Sequence, residues 1–148
     1  MPGLTDSTSS HPVDNENSRR EIEALVARFF AAFDNRNGTT PRLADLVTCF
    51  TDKATIVRAS ADGAEQYTVM EFAMPRIRLL TEGALVDFHE SETSATTQMH
   101  AGIAIRTSRY TKSGMLDGGE YQGSGTKYFQ FADIDAGWRI TALAWVDD

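Results

Sequence analysis

The chain has 148 residues, 41% of them hydrophobic and 24% charged, which is typical of one globular domain. Its formal net charge of −7, without a basic stripe, argues against a nucleic-acid partner. No run of 18 apolar residues indicates a membrane span, and a single cysteine, Cys49, rules out an intrachain disulfide. We therefore expect a cytoplasmic protein that binds neither nucleic acid nor membrane.

The N-terminal part of the sequence predicts a flexible tail and then a helix. Residues 1–17 are polar and contain two prolines, so the folded domain is expected at residues 18–148. Ser18–Glu21 has the form of a capping box, which predicts a helix from Ser18 to about Asn37. Its apolar side recurs at helical spacing and consists of Ile22, Leu25, Val26, Phe29, Phe30 and Phe33.

Two further helices are predicted before the chain turns to strands. Thr40 and Pro41 fit the N-cap and the first position of a short second helix. Thr68–Glu71 is another capping box and begins a third helix that Gly83 ends. Pro75 lies inside this helix, where it should introduce a kink or divide the helix into two segments.

The strand patterns complete the predicted fold. KATIVRAS, residues 53–60, alternates as a strand does, and the Asp-Gly pair after it favours a hairpin. From residue 84 onward, four runs predict an antiparallel meander, with a loop at 112–119 and with bulges or bends at Gly123 and Gly125. Because such a sheet must bury one face, the helices should cover it. We expect an α+β fold in which three N-terminal helices pack on a strongly curved mixed, mainly antiparallel sheet that forms a cone with an internal pocket.

Three stretches resemble a known family: FFAAFDNRN, CFTDKATIV and YFQFADIDAGWRITALAWVDD. With the order of elements, they make residues 18–148 resemble the nuclear transport factor 2-like superfamily, also called SnoaL-like or cystatin-like. The resemblance implies a pocket and often a homodimer, here expected through the outer face of the sheet, but no particular reaction. Ketosteroid isomerase, one member, needs a tyrosine and two acids. Phe29, Arg58 and Lys127 stand at or beside those positions, so this activity is not expected.

Two neighbouring residues of the predicted strand that begins near residue 84 are the candidate catalytic groups. Glu90 is expected on the same face of its strand as Val86 and Phe88. If that face is turned toward the inside of the cone, the Glu90 carboxylate can pair with Arg58. The pair could hold a catalytic base, or it could be only a structural salt bridge. His89, on the opposite parity, is a second candidate because histidine often serves as a general base, although a lone strand histidine is more often solvated or structural.

The numerous aromatic residues are mostly explained as core, yet as a set they suit a pocket for a flat or apolar molecule. Cations in such a pocket would favour an anionic ligand. The predicted ligand-binding residues are Arg58, Lys127, Phe33, Tyr67 and Trp145.

No metal-binding pattern is present in the sequence, so neither a metal nor another cofactor is predicted. The expected function is the binding of a small, partly apolar and anionic molecule by a SnoaL-like protein, and the sequence leaves open whether a lyase, isomerase or hydrolase activity accompanies it. The alternative is a non-catalytic ligand-binding or dimerisation domain.

Overall fold

The computed structural model describes residues 12–134 and 137–148. Within these ranges, no helix combines the length and the apolar character that crossing a membrane requires. A single-turn 3₁₀ helix at Arg36–Gly38 follows the first α-helix. The elements are α1 (Pro12–Ala31), α2 (Leu43–Val47), β1 (Phe50–Ser60), β2 (Gly63–Tyr67), α3 (Val69–Thr81), β3 (Leu85–His100), β4 (Ile103–Leu116), β5 (Gly119–Asp133) and β6 (Trp138–Asp147).

The strands form one open six-stranded sheet in the order β2-β1-β6-β5-β4-β3. Strands β1 and β6 run parallel, whereas every other neighbouring pair is antiparallel. The three α-helices pack against this sheet, and α1 and α3 both contact β3. The predicted α+β class, with helices on a mixed and mainly antiparallel sheet, is therefore confirmed.

Aromatic rings fill the space between helix and sheet. Phe29 is fully buried and makes edge-to-face contacts with four rings at centroid distances between 5.2 and 6.1 Å. Such pairs each add roughly 0.5–1.5 kcal/mol beyond the burial of their area. The partner rings are Phe30, Phe33, Phe50 and Phe129.

Two helix starts differ from the prediction. Helix α1 begins at Pro12, so residues 12–17 are helical, and only residues 1–11 of the predicted tail lie outside the described residues. This polar first turn was not predicted because it lacks the hydrophobic periodicity of the rest of the helix. It can form because proline is well suited to the first turn of a helix. Helix α2 begins at Leu43 after an extended Arg42 rather than at Pro41.

The predicted third helix is confirmed at its start. The Thr68 hydroxyl accepts a hydrogen bond from the Glu71 backbone N–H at 3.1 Å, and the Glu71 carboxylate accepts one from the Thr68 N–H at 2.9 Å. These reciprocal bonds form the expected capping box. Helix α3 then continues through Pro75 as one element, so the predicted division into two segments does not occur.

Most of the predicted loop at residues 112–119 is strand. Strand β4 continues to Leu116, and a two-residue turn leads directly into β5. Asp117 and Gly118 adopt φ values of 50° and 82°, the left-handed pair that a tight hairpin turn requires. The longer hairpin places Lys112 inside strand β4.

The two glycines of β5 make room for side chains rather than forming bulges, because the β4–β5 ladder is regular through both. A Cβ on Gly125 would lie 2.5 Å from the Tyr110 hydroxyl oxygen, and one on Gly123 would lie 2.9 Å from Lys112 Cε. Real Cβ atoms do not approach other atoms so closely. The glycines therefore let the Tyr110 and Lys112 side chains lie flat across β5.

Candidate functional site

A cavity of about 280 Å³ lies between helix α3 and the inner face of the sheet. Its volume equals that of roughly nine liquid-water molecules at about 30 Å³ each. This is just below the range of roughly 300–1,000 Å³ that is usual for sites of drug-sized molecules. The cavity therefore admits a small molecule. Side chains of α3, β1, β3, β4, β5 and β6 line it, which means that residues distant in sequence meet there.

The charges that line the cavity are mostly positive. Four cations face two carboxylates, although the chain as a whole carries a net charge of −7. This contrast is the main electrostatic feature of the cavity. The cations are Arg58, Arg76, Lys112 and Lys127, and the carboxylates are Glu90 and Asp147.

Lys127 and Glu90 form a buried ion pair. The Lys127 ammonium nitrogen lies 3.4 Å from Glu90 Oε1, and Lys127 is only 5% exposed. Among the described residues, Oε1 has no hydrogen-bond partner, so the contact is an ion pair without a well-formed hydrogen bond. The same ammonium lies 3.9 Å from the centre of the Tyr110 ring. Burial lowers the pKa of Lys127, and the Glu90 charge opposes this effect.

Asp147 is the centre of a second cluster. Tyr110 donates its hydroxyl to this carboxylate, while Lys112 Nζ lies 3.3 Å and Arg58 Nη2 3.4 Å from its oxygens. Burial alone would raise the pKa of Asp147, but the Tyr110 hydrogen bond and the nearby Lys112 and Arg58 charges outweigh it and lower the pKa. One carboxylate thus serves two cations and a hydroxyl.

Arg76 is the exception among the cations. Its guanidinium carbon lies 4.4 Å from the Phe72 ring centre and 5.2 Å from that of Trp145, and Nη1 donates to the Phe72 carbonyl at 2.9 Å. Within residues 12–134 and 137–148, no carboxylate oxygen lies within 4.0 Å of its nitrogens. Burial is the main cause of the lowered pKa of Arg76. Arg76 is therefore a half-buried cation that no carboxylate of the described chain contacts, although the Glu90 charge acts on it from a greater distance.

The predicted pairing of Glu90 with Arg58 is wrong. Glu90 contacts Lys127, and Arg58 contacts Asp147. Both residues nevertheless line the same cavity. The exchange of partners arises because β6 is the immediate neighbour of β1 in the sheet, whereas β3 lies at the opposite edge.

The strand parity used for Glu90 is correct only in part. Phe88 is buried and Glu90 lines the cavity, but Val86 is 40% exposed. Asp87 has a φ of 50°, and the pairing of β3 with β4 is irregular at this point. The Asn35 side chain accepts a hydrogen bond from the Phe88 N–H at 2.8 Å, which fixes the inward-facing register from Phe88 onward.

The other predicted site residues are divided between the cavity and its surroundings. Trp145 lines the cavity. The Tyr67 ring stacks on the Trp145 ring at a centroid distance of 6.4 Å, but Tyr67 does not itself line the cavity. Phe33 is buried in the aromatic core. His89 is not among the lining residues, and its Nδ1 is buried without a hydrogen-bond partner in the described chain. The catalytic role of His89 stays a prediction that this cavity does not support.

Several lining residues were missed by the sequence reasoning. Arg76 lies four residues after Phe72 and four before Leu80, both buried, so its position on the apolar side of α3 was a detectable signal. Lys112 was missed because it lay in the predicted loop. Asp147 was missed because its partners are distant in sequence. The missed lining residues with polar side chains are Arg76, Tyr110, Lys112, Tyr121 and Asp147.

The described part of the chain contains no group of three or more His, Cys, Asp or Glu side chains placed to hold a metal ion. The lysines and arginines that dominate the cavity carry no lone pair for a metal while protonated. The chemistry of the lining residues is therefore that of ion pairing, hydrogen bonding and proton transfer.

Comparisons with known proteins agree with this fold. The chain is similar to hexachlorocyclohexane dehydrochlorinase LinA-type3 from Novosphingobium barchaimii, with 16% identity, a TM-score of 0.74, and 93% of this chain and 91% of that chain covered. It is similar to a nuclear transport factor 2-like superfamily protein from Salmonella enterica, with 12% identity, a TM-score of 0.69 and coverage of 88% and 91%. A cystatin-like protein of unknown function from Nostoc punctiforme shows 16% identity, a TM-score of 0.63 and coverage of 88% and 90%.

At these identities the solved structures show a shared fold. No curated protein matches the sequence. The SnoaL-like domain model, in contrast, matches residues 16–144, which is most of the chain. The protein therefore belongs to the SnoaL-like domain family.

Proposed function

We propose that the protein binds a small organic anion with a flat or apolar body in the cavity between α3 and the sheet. The observation that carries the proposal is the excess of four cations over two carboxylates in the cavity of an acidic protein. Guanidinium and ammonium groups bind carboxylates through charge-assisted hydrogen bonds. The aromatic walls, among them Phe88, Tyr121 and Trp145, suit the body of the ligand. Membership of the SnoaL-like family supports a small-molecule ligand.

Benzoate and its neutral analogue benzamide provide the first test, because they differ in charge but hardly in size. By isothermal titration calorimetry at low ionic strength, benzoate should bind about tenfold more tightly than benzamide, or about 1.4 kcal/mol. Salt should weaken only the benzoate complex. Equal affinities, or no binding of either compound, would contradict an anion-binding cavity.

A catalytic version of this function has Glu90 as a general base in a lyase or isomerase. Its Oε1 makes no hydrogen bond among the described residues, so the carboxylate is not occupied by donors, and the adjacent Lys127 ammonium could stabilise an oxyanion that forms after proton removal. One structural neighbour is named a hexachlorocyclohexane dehydrochlorinase. The alternative is non-catalytic ligand binding, in which the Glu90–Lys127 pair is only structural.

Proton exchange separates these two versions. The methylene protons of phenylpyruvate exchange with deuterium oxide through an enol, and NMR follows the rate. The wild-type protein should accelerate this exchange, and Glu90→Gln should remove about 100-fold of the acceleration or more. Glu120→Gln, at an exposed position of β5, serves as the matched control. The same exchange rate with and without wild-type protein would favour the non-catalytic version.

We also propose that a second copy of the chain covers the outer face of the sheet. Ile105 and Tyr128 point away from the helices and are 53% and 51% exposed, and Val146 is exposed on the same face. Exposed apolar patches often mark association sites. Sedimentation velocity should show a dimer that Tyr128→Glu dissociates, whereas a monomer at high protein concentration would refute this interface.

A further inference from the structure

We infer that Arg76, together with Arg58, holds the anionic group of the ligand, and that this group is a carboxylate on a molecule whose apolar body lies along Trp145. This inference rests on the proposed function, since it assumes that the cavity binds an anion. It adds the class of the ligand, its anchor and its orientation. Neither the sequence patterns nor the family membership assigns a role to Arg76.

The first observation is the free edge of the Arg76 guanidinium. Nη1 donates to the Phe72 carbonyl, and this is the one hydrogen bond that the group makes with the described residues. The edge formed by Nε and Nη2 makes no well-formed hydrogen bond with the described residues, and the Tyr67 hydroxyl and the Glu90 charge act on the group without one. A planar carboxylate accepts such a fork through both of its oxygens. The Phe72 ring, 4.4 Å from the guanidinium carbon, lies against the group and limits its movement.

The second observation is the unbalanced charge around Arg76. Arg58 lines the same cavity and, like Arg76, carries a positive charge. Its carboxylate contact, Asp147 at 3.4 Å, is shared with Lys112 and Tyr110. The positive charge of Arg58 acts on Arg76 and disfavours its charged form, so the two cations repel each other. An anionic group between the two arginines, which reach the cavity from β1 and α3, would relieve this repulsion.

The third observation gives the orientation of the ligand. The Trp145 ring has Arg76 at 5.2 Å and the Lys127 ammonium at 5.5 Å from its centre. A carboxylate held by Arg76 would therefore leave the rest of a small molecule along Trp145, with its far end near the Glu90–Lys127 pair. The carboxylate would anchor the ligand, and the far end would be the part exposed to any proton transfer.

Calorimetric titration of Arg76 variants with benzoate tests this anchor. Arg76→Gln should weaken benzoate binding about tenfold or more and leave benzamide binding unchanged, because only benzoate carries the group that Arg76 recognises. Arg76→Lys keeps the charge but lacks the fork, so it should restore the affinity only in part. Arg78→Gln, on the exposed side of the same helix, should bind benzoate like the wild type.

The outcomes distinguish the anchor from the wider proposal. If wild type and Arg76→Gln bind benzoate equally but Lys127→Met does not bind it, the cavity binds anions and Arg76 is not the anchor. If the wild type prefers benzamide or binds neither compound, the inference and the proposed function both fail.

A melting experiment without ligand separates an anchor from a structural residue. Because Arg76 has no carboxylate partner in the described chain, Arg76→Gln should lose only its ring contacts and one hydrogen bond, and should melt no more than about 5 °C below Arg78→Gln. A clearly lower melting temperature, with loss of both benzoate and benzamide binding, would assign Arg76 to the structure and overturn the inference.

Discussion

Replacing Lys127 with methionine is expected to lower the free energy of unfolding by about 3 kcal/mol, since loss of one partner of a buried ion pair leaves an uncompensated charge. Lys127 is 5% exposed, and Glu90 beside it is 3.4 Å away. Methionine keeps most of the length and the apolar stem, so the loss reports the charge rather than a large cavity. Urea denaturation at neutral pH measures the difference.

The double variant Lys127→Met with Glu90→Gln is the control for this prediction. It removes both charges, so it should regain much of the stability that the single variant loses. A coupling energy above about 1 kcal/mol between the two positions would show that the pair acts as a unit. Strictly additive effects would mean that Glu90 has another source of compensation, and the account of the cavity charges would then be wrong.

Replacing Arg106 with methionine should have an effect of similar size, about 3 kcal/mol, for a reason unrelated to the cavity. Arg106 is 4% exposed and donates to Glu92 at 2.5 and 3.0 Å and to Glu23 at 2.8 and 3.1 Å. It thereby joins helix α1 to strands β3 and β4. Without it, the half-buried Glu92 would keep only the Ser108 hydroxyl, at 2.7 Å, as a donor among the described residues.

Arg109, on the opposite face of the same strand, is the matched control. It pairs with Asp148 at 2.8 Å, but both side chains are exposed, so Arg109→Met should change the unfolding free energy by less than about 1 kcal/mol. Urea denaturation of both variants gives the comparison. Equal losses at the two positions would show that burial does not decide the strength of these ion pairs.

The parts of the fold that local rules decide could be predicted from the sequence. The capping box of α3 and the hairpin after β1 each depend on a few adjacent residues, and both are observed. The polar first turn of α1 was missed because helices that begin in solvent need no apolar periodicity. The β4–β5 turn was missed because its strands continue through a polar and glycine-rich segment.

The candidate site was predictable only in part, because its composition depends on long-range register. Glu90, Arg58, Lys127 and Trp145, which the sequence analysis assigned to a site, do line the cavity, while their roles in binding or catalysis stay predictions. Their pairing was not predictable, since it depends on which strands become neighbours and on the irregularity at Asp87. A shift of one residue in a strand moves every later side chain to the other face of the sheet. Alternation along the sequence therefore does not predict which residues face inward beyond such a shift.

We propose that the cavity holds a carboxylate against Arg76. Crystals soaked with 4-bromobenzoate test it most directly, because anomalous scattering locates the bromine independently of the protein phases. We predict a bromine peak inside the cavity and carboxylate oxygens within hydrogen-bond distance of the Nε–Nη2 edge of Arg76. A cavity without a bromine peak, or a carboxylate directed away from Arg76, would contradict the claim.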